Sequence, residues 1–140
     1  MFKQKMTYDI NKYLYNGLIV PIEFWKPITD EMVPGIKPIY YISNIGNIYN
    51  SERDLYFNID LSKCKRYVSV SLRLINKKQI SIHLHRLVCM AFNGMPNNEK
   101  YTVDHKNFDK LCNCENNLEW VSLLENYRRA YNNGRMNQKR

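Results

Sequence analysis

The chain has 140 residues, is 44% hydrophobic, and carries 21 Lys/Arg against 13 Asp/Glu, a formal charge of +8. That length and apolar fraction predict one folded domain, or two small interlocked ones, and exclude a disordered chain. No apolar run reaches the roughly 20 residues needed to span a bilayer and no signal-like stretch follows Met1, so a cytoplasmic protein without a membrane partner is expected, its four cysteines reduced rather than paired.

Residues 1–22 read as a leader arm, punctuated by Asn16-Gly17 and Pro21 before any long periodic element forms. From Trp25-Lys26-Pro27-Ile28 to Pro34, Gly35 and Pro38 the proline spacing forbids a helix and favours extended chain. Tyr40-Tyr41-Ile42-Ser43 and Asn47-Ile48-Tyr49-Asn50 then predict a hairpin, with Gly46 supplying the positive φ of its turn.

The strictest alternation follows. Val68, Val70, Leu72 and Leu74 alternate with polar residues, as do Ile80, Ile82 and Leu84, and Asn76-Lys77-Lys78 makes a polar tip between the two runs. An antiparallel pair is predicted, one face in the core and the other, with Tyr67, Arg73 and His83, open to solvent or to a phosphate backbone. From His85 the apolar residues Leu87, Val88, Ala91 and Phe92 take helical spacing until Asn93-Gly94 and Pro96 end it. His85 and Arg86 open that helix, where they either reach a phosphate or satisfy nearby backbone and core groups.

The order from residue 101 is strand, loop, strand, helix. Tyr101-Thr-Val-Asp-His105 precedes an eleven-residue polar stretch, then Asn117-Leu-Glu-Trp-Val-Ser122. Ser122 and Glu125 match a capping box that starts a helix at Leu123, and Asn132-Asn133-Gly134 stops it. A carboxylate (Asp104), an imidazole (His105) and an amide oxygen (Asn126) can then meet at one point, a set suited to a hard cation and a general base. Adjacent strand residues point to opposite faces, so Asp104 and His105 can share a site only if the strand twists or bulges there. Trp25, Phe92, Leu118 and Trp120 are expected in the core.

Charge sharpens the partner. Residues 1–62 hold 6 Lys/Arg and 7 Asp/Glu, a balance of −1, whereas residues 63–140 hold 15 and 6, a balance of +9. A basic half of this size is the footprint of a polyanion binder, because lysines and arginines displace counterions condensed on phosphates. The basic run Arg128, Arg129, Arg135, Lys139, Arg140 adds phosphate contact without base reading. Cys112-x-Cys114 lacks the paired Cys-x-x-Cys spacing of structural zinc sites, so zinc is not expected.

The series His85-Arg86-Leu87-Val88, Asp104-His105, Asn117-Leu118-Glu119-Trp120-Val121-Ser122 and Glu125-Asn126 resembles the HNH endonucleases of phage introns and related homing nucleases. Trp25-Lys26-Pro27-Ile28 and Tyr40 through Ile48 resemble the N-terminal motif often fused to them. The resemblance implies an α+β fold: an N-terminal antiparallel β-sheet region (23–84) contacting DNA, a ββα-metal (His-Me finger) nuclease core (85–134) and a basic tail (135–140). It implies that Asp104 and Asn126 hold Mg²⁺, or Mn²⁺, that His105 is the general base, and that Asn117 braces the loop and the histidine. Arg73, Lys77, Lys78, His85, Arg86, Arg128 and Arg129 are the expected contacts to double-stranded DNA. Where the family loop commonly has glycine, this chain has Phe108. The expected activity is nicking of one DNA strand by a monomer. The rival readings are a DNA-binding or regulatory module that keeps the fold without cutting, and a protein-interaction domain with an incidental basic surface.

Overall fold

The computed structural model describes residues 22–134, together with the backbones of two short antiparallel strands, β1 (Leu14–Tyr15) and β2 (Leu18–Ile19). Apart from those strands, the expected leader arm and basic tail lie outside the described residues.

Four strands follow in a meander, β3 (Trp25–Pro27), β4 (Tyr40–Ser43), β5 (Ile48–Asn50) and β6 (Leu55–Tyr56), paired in that order. The proline-rich stretch 28–39 makes the long connection, and the predicted β4–β5 hairpin turns at Gly46 with φ +83°. β7 (Ser69–Arg73) and β8 (Gln79–His83) form the antiparallel pair that the alternation predicts, with Val70 and Leu72 buried and Ser69, Ser71 and Arg73 exposed. A bridge from Ile36 to Leu74 ties this pair to the long connection. Helix α1 (Leu84–Phe92) starts directly after β8 and buries Leu84, Leu87 and Val88, then stops at Asn93 and Gly94. β9 (Tyr101–His105), β10 (Leu118–Ser122) and α2 (Leu123–Asn132) close the described chain.

One hydrophobic cluster joins these elements. Ile36, Ile42 and Ile48 from the N-terminal region meet Leu72 of β7, Leu87 and Val88 of α1, and Val103 and Leu118 of the last hairpin. Each such side chain contributes on the order of 1.5–3 kcal/mol when fully buried, an upper figure because the unfolded chain is not fully extended. The core therefore runs across residue 84, the expected boundary between sheet region and nuclease core, and any shift of the N-terminal sheet is felt by the last hairpin.

Of the aromatic residues expected inside, Phe92 and Trp120 pack partly buried against the cluster, and the Trp120 indole N–H donates to the Gly94 carbonyl at 2.7 Å. Trp25 is half-buried in a separate aromatic patch, its ring 5.7 Å from Tyr56 and 6.4 Å from Tyr49 between centroids. Strand β3 lies at the sheet edge, and Trp25 packs there on the buried Tyr49 and the half-buried Tyr56.

Candidate active site

The β9–β10 hairpin carries the site. Its register is unbroken from Tyr101 opposite Ser122 to His105 opposite Leu118, and Lys106 N–H adds one rung to the Asn117 carbonyl at 2.8 Å. The bulge that would bring Asp104 and His105 to one side is absent. Both are nevertheless buried, each 4% exposed, and both line a cavity of about 160 Å³ together with Asn126, Tyr67, Phe108 and Lys110. Two-stranded ribbons twist more strongly than wider sheets, and His105 is the last residue of its strand.

His105 is held in one tautomer. Its Nε2 lies 3.0 Å from Asn113 Oδ1, and an amide oxygen only accepts, so Nε2 carries the hydrogen and Nδ1 keeps the lone pair. The Asn113 amide group is oriented by its contact to the Leu111 carbonyl at 3.5 Å. Burial pushes the His105 pKa below its ordinary 6.5, with the Asn113 hydrogen bond and the Asp104 charge partly opposing. The ring is thus neutral at pH 7 with its lone pair on Nδ1, the form a proton acceptor needs.

Asn117 is wholly buried away from the cavity, where it braces the loop. Its Oδ1 accepts from Asn107 N–H at 3.0 Å, and its Nδ2 donates to Asn107 Oδ1 and the Cys112 carbonyl, each at 2.9 Å. Buried bonds of this kind contribute about 1 kcal/mol each, and more is lost when one partner is left unsatisfied. The loop keeps the shape a glycine would allow: Phe108 takes φ +65°, in the left-handed region that costs a non-glycine residue roughly 1–2 kcal/mol.

The candidate cation ligands are oxygen donors, the kind a hard metal takes. Asn126 sits in the first turns of α2, whose start is set by Ser122 accepting from Glu125 N–H at 3.1 Å, and among the described residues its side chain makes no hydrogen bond. Asn126 and the buried Asp104 line the same cavity, and their amide and carboxylate oxygens are a donor pair suited to Mg²⁺ or Mn²⁺, which keep most of their waters. Glu125 does not close the capping box; its carboxylate takes Arg129 at 3.1 Å and Arg128 at 3.3 Å instead. Arg129 also binds Glu119 and, at 2.9 Å, Asp104 Oδ2, so this expected phosphate contact is turned inward and engages one oxygen of the carboxylate. Cys112 and Cys114 are buried and not joined in a disulfide, and among the described residues no three His, Cys, Asp or Glu gather in metal-binding reach.

All three histidines of the chain meet Tyr67 beside the cavity. The His85 ring lies 4.8 Å from Tyr67, 5.2 Å from His83 and 5.2 Å from His105 between centroids. His85 is 5% exposed with Nδ1 unpartnered, and burial, reinforced by its neighbours His105, His83 and Arg86, pushes its pKa down to about 3. Between its unfolded value near 6.5 and about 3, the unfolded chain binds a proton that the folded chain refuses. Stability should therefore fall as pH drops through that window, by at most about 1.4 kcal/mol per pH unit. Thermal melts will show Tm declining below about pH 6.5 and a shallower decline in His85→Phe; equal slopes in both proteins would remove His85 as the source.

The other basic residues divide by exposure. Arg73, Lys77, Lys78 and Arg128 are exposed, whereas Arg86 is half-buried with its guanidinium 5.4 Å from the Trp120 ring centre. Two residues at the site carried no sequence signal, Asn113 and Lys110; the Lys110 ammonium lies 4.9 Å from the ring centre of Tyr67, which the alternation places on the open sheet face. Asn113 is one of several asparagines in the loop, and nothing local separates it from Asn107 or Asn116.

Comparison with known proteins bears out the family resemblance. Residues 83–128 match the HNH endonuclease family. The chain is 39% identical over 115 residues to an uncharacterised HNH endonuclease of Acanthamoeba polyphaga mimivirus, covering 79% of this chain and 27% of that protein. It is 30% identical over 97 residues to the H-N-H endonuclease F-TflI of Escherichia phage T5, covering 66% and 47%. Its fold is similar to the HNH homing endonuclease I-HmuI, a structure describing DNA binding and cleavage, with TM-score 0.65, 28% identity, and coverage of 79% of this chain and 59% of that one. The chain spans about a quarter to a half of the length of these curated relatives.

Proposed function

We propose, on the premise that residues 83–128 match the HNH endonuclease family, that the chain is a metal-dependent endonuclease that nicks one strand of double-stranded DNA. The observation that carries this reading is the shared cavity of Asp104, His105 and Asn126. His105 Nδ1 takes the proton of the attacking water, while Asn113 keeps the hydrogen on Nε2. Asp104 and Asn126 offer their oxygens to Mg²⁺ or Mn²⁺, which when bound supplies charge stabilisation to the scissile phosphate and the departing 3′ oxygen. Asn117 holds the loop between the strands so that His105 keeps its place.

The duplex is held through phosphates. Arg73, Lys77 and Lys78 on the β7–β8 hairpin and Arg128 on α2 are exposed, which suits contacts that position without reading sequence. Residues 23–84 serve as the DNA-contacting sheet region and 85–134 as the cutting core, acting as a monomer. A single site gives a single cut, leaving a 5′-phosphate and a 3′-hydroxyl.

Supercoiled plasmid tests the reading. With Mg²⁺ or Mn²⁺ the protein should convert it to the open-circular form, and chelator should stop the conversion. Retention of plasmid without conversion under either metal would identify a DNA-binding module that does not cut.

A further inference from the structure

The Ser43-Asn44-Ile45-Gly46-Asn47 turn has no part in the chemistry above, yet it abuts the active-site loop. Asn44 is wholly buried and its amide is used at home: Oδ1 accepts from Phe24 N–H at 2.7 Å and Nδ2 donates to the Ile22 carbonyl at 3.2 Å. That locks the turn onto the chain entering β3 and aims the Asn44 carbonyl outward, where it accepts from Glu115 N–H at 2.8 Å. Two residues on, a Cβ placed on Gly46 would lie 3.2 Å from the Asn113 carbonyl oxygen, 3.3 Å from Asn113 Cβ and 3.4 Å from Leu84 Cδ2. The turn thus touches the loop at Asn113 and Glu115, and Asn113 is the residue whose Oδ1 holds His105 Nε2.

We propose that this turn positions the general base: Asn44 and Gly46 clamp residues 113–115 so that the Asn113 amide oxygen stays on His105. Segment 106–114 has no helix or strand of its own, so its shape depends on what it is tied to. Asn117 ties it from within and the turn ties it from outside. If Asn113 withdraws or its amide turns over, Nε2 loses its acceptor, the ring hydrogen is free to move to Nδ1, and the lone pair that takes the proton is lost from the productive nitrogen. Gly46 suits the turn for two separable reasons, its positive φ and its lack of a Cβ that would press on Asn113.

The inference rests on His105 being the general base, and the test separates the two ideas. Gly46→Ala is compared with Gly35→Ala, because Gly35 has φ +78° but open space where its Cβ would be. Gly46→Asn serves where the alanine protein does not fold, since asparagine tolerates the left-handed backbone while still pressing on Asn113. With only three histidines in the chain, the imidazole ¹⁵N resonances of His105 can be followed at a pH where the ring is neutral. The expected result is a single Nε2–H tautomer in the parent and in Gly35→Ala, and a mixture in the Gly46 variants, with kcat for nicking reduced roughly 10-fold or more and KM within a few-fold. An unchanged His105 tautomer in a folded Gly46 variant, or an equal change in Gly35→Ala, would overturn the proposal. If the parent itself does not nick, the nuclease reading fails, while the tautomer result still decides whether the turn controls His105.

Discussion

His105→Ala will lose nicking by roughly 10²–10⁴-fold while retaining plasmid as tightly as the parent. The magnitude is that of a positioned base whose proton acceptance is left to bulk water. Binding is spared because the exposed cations, Arg73, Lys77, Lys78 and Arg128, lie on other elements. The fold is spared as well: His105 is the last residue of β9, and among the described residues its side chain makes one hydrogen bond, to Asn113. Gel-based nicking rates and plasmid retention, measured on the same preparations, check both halves. Nicking at the parental rate would transfer the base to another group, and the two remaining histidines beside Tyr67, His83 and His85, would then be the place to search.

Asp104→Asn is the second large effect. The substitution preserves shape and leaves an oxygen to accept from Arg129, so Glu119, Glu125 and residue 104 can still gather around the guanidinium. What disappears is the only carboxylate that lines the cavity among the described residues. Cation affinity should fall at least about 100-fold, since even the supporting partners of a metal ligand are worth 10–100-fold. The nicking rate should fall roughly 10³-fold, equivalent to about 4 kcal/mol of transition-state stabilisation. Titration of Mn²⁺ by electron paramagnetic resonance reads affinity independently of cleavage, and an unchanged titration would show that Asp104 holds no cation.

Much of this was legible in residue order. Val68 to Leu74 and Ile80 to Leu84 announced a half-buried pair because period-two alternation has one structural solution. Ser122 announced the start of α2, and with it the place of Asn126, because a hydroxyl before an apolar run satisfies an orphan amide. What could not be read was long-range. The Glu125–Arg129 spacing shows one helical ion pair, but the turn of Arg129 onto Asp104 and Glu119 requires the hairpin to lie beside the helix. Asn113 gains its role only when the loop folds back over His105. Of the twist or bulge that a shared site demands, the unbroken register excludes the bulge and leaves the twist. Trp25 was placed inside by its size, and its edge strand leaves it half-buried in an aromatic patch with the buried Tyr49 and the half-buried Tyr56.

The convergence of Asp104, His105 and Asn126 on one cation is tested most directly by the anomalous scattering of Mn²⁺ in crystals of the protein. The account predicts one Mn²⁺ peak in the cavity, bonded to a carboxylate oxygen of Asp104 and the amide oxygen of Asn126, with His105 facing it unbonded. A crystal that takes up Mn²⁺ elsewhere and leaves Arg129 alone on Asp104 would contradict it.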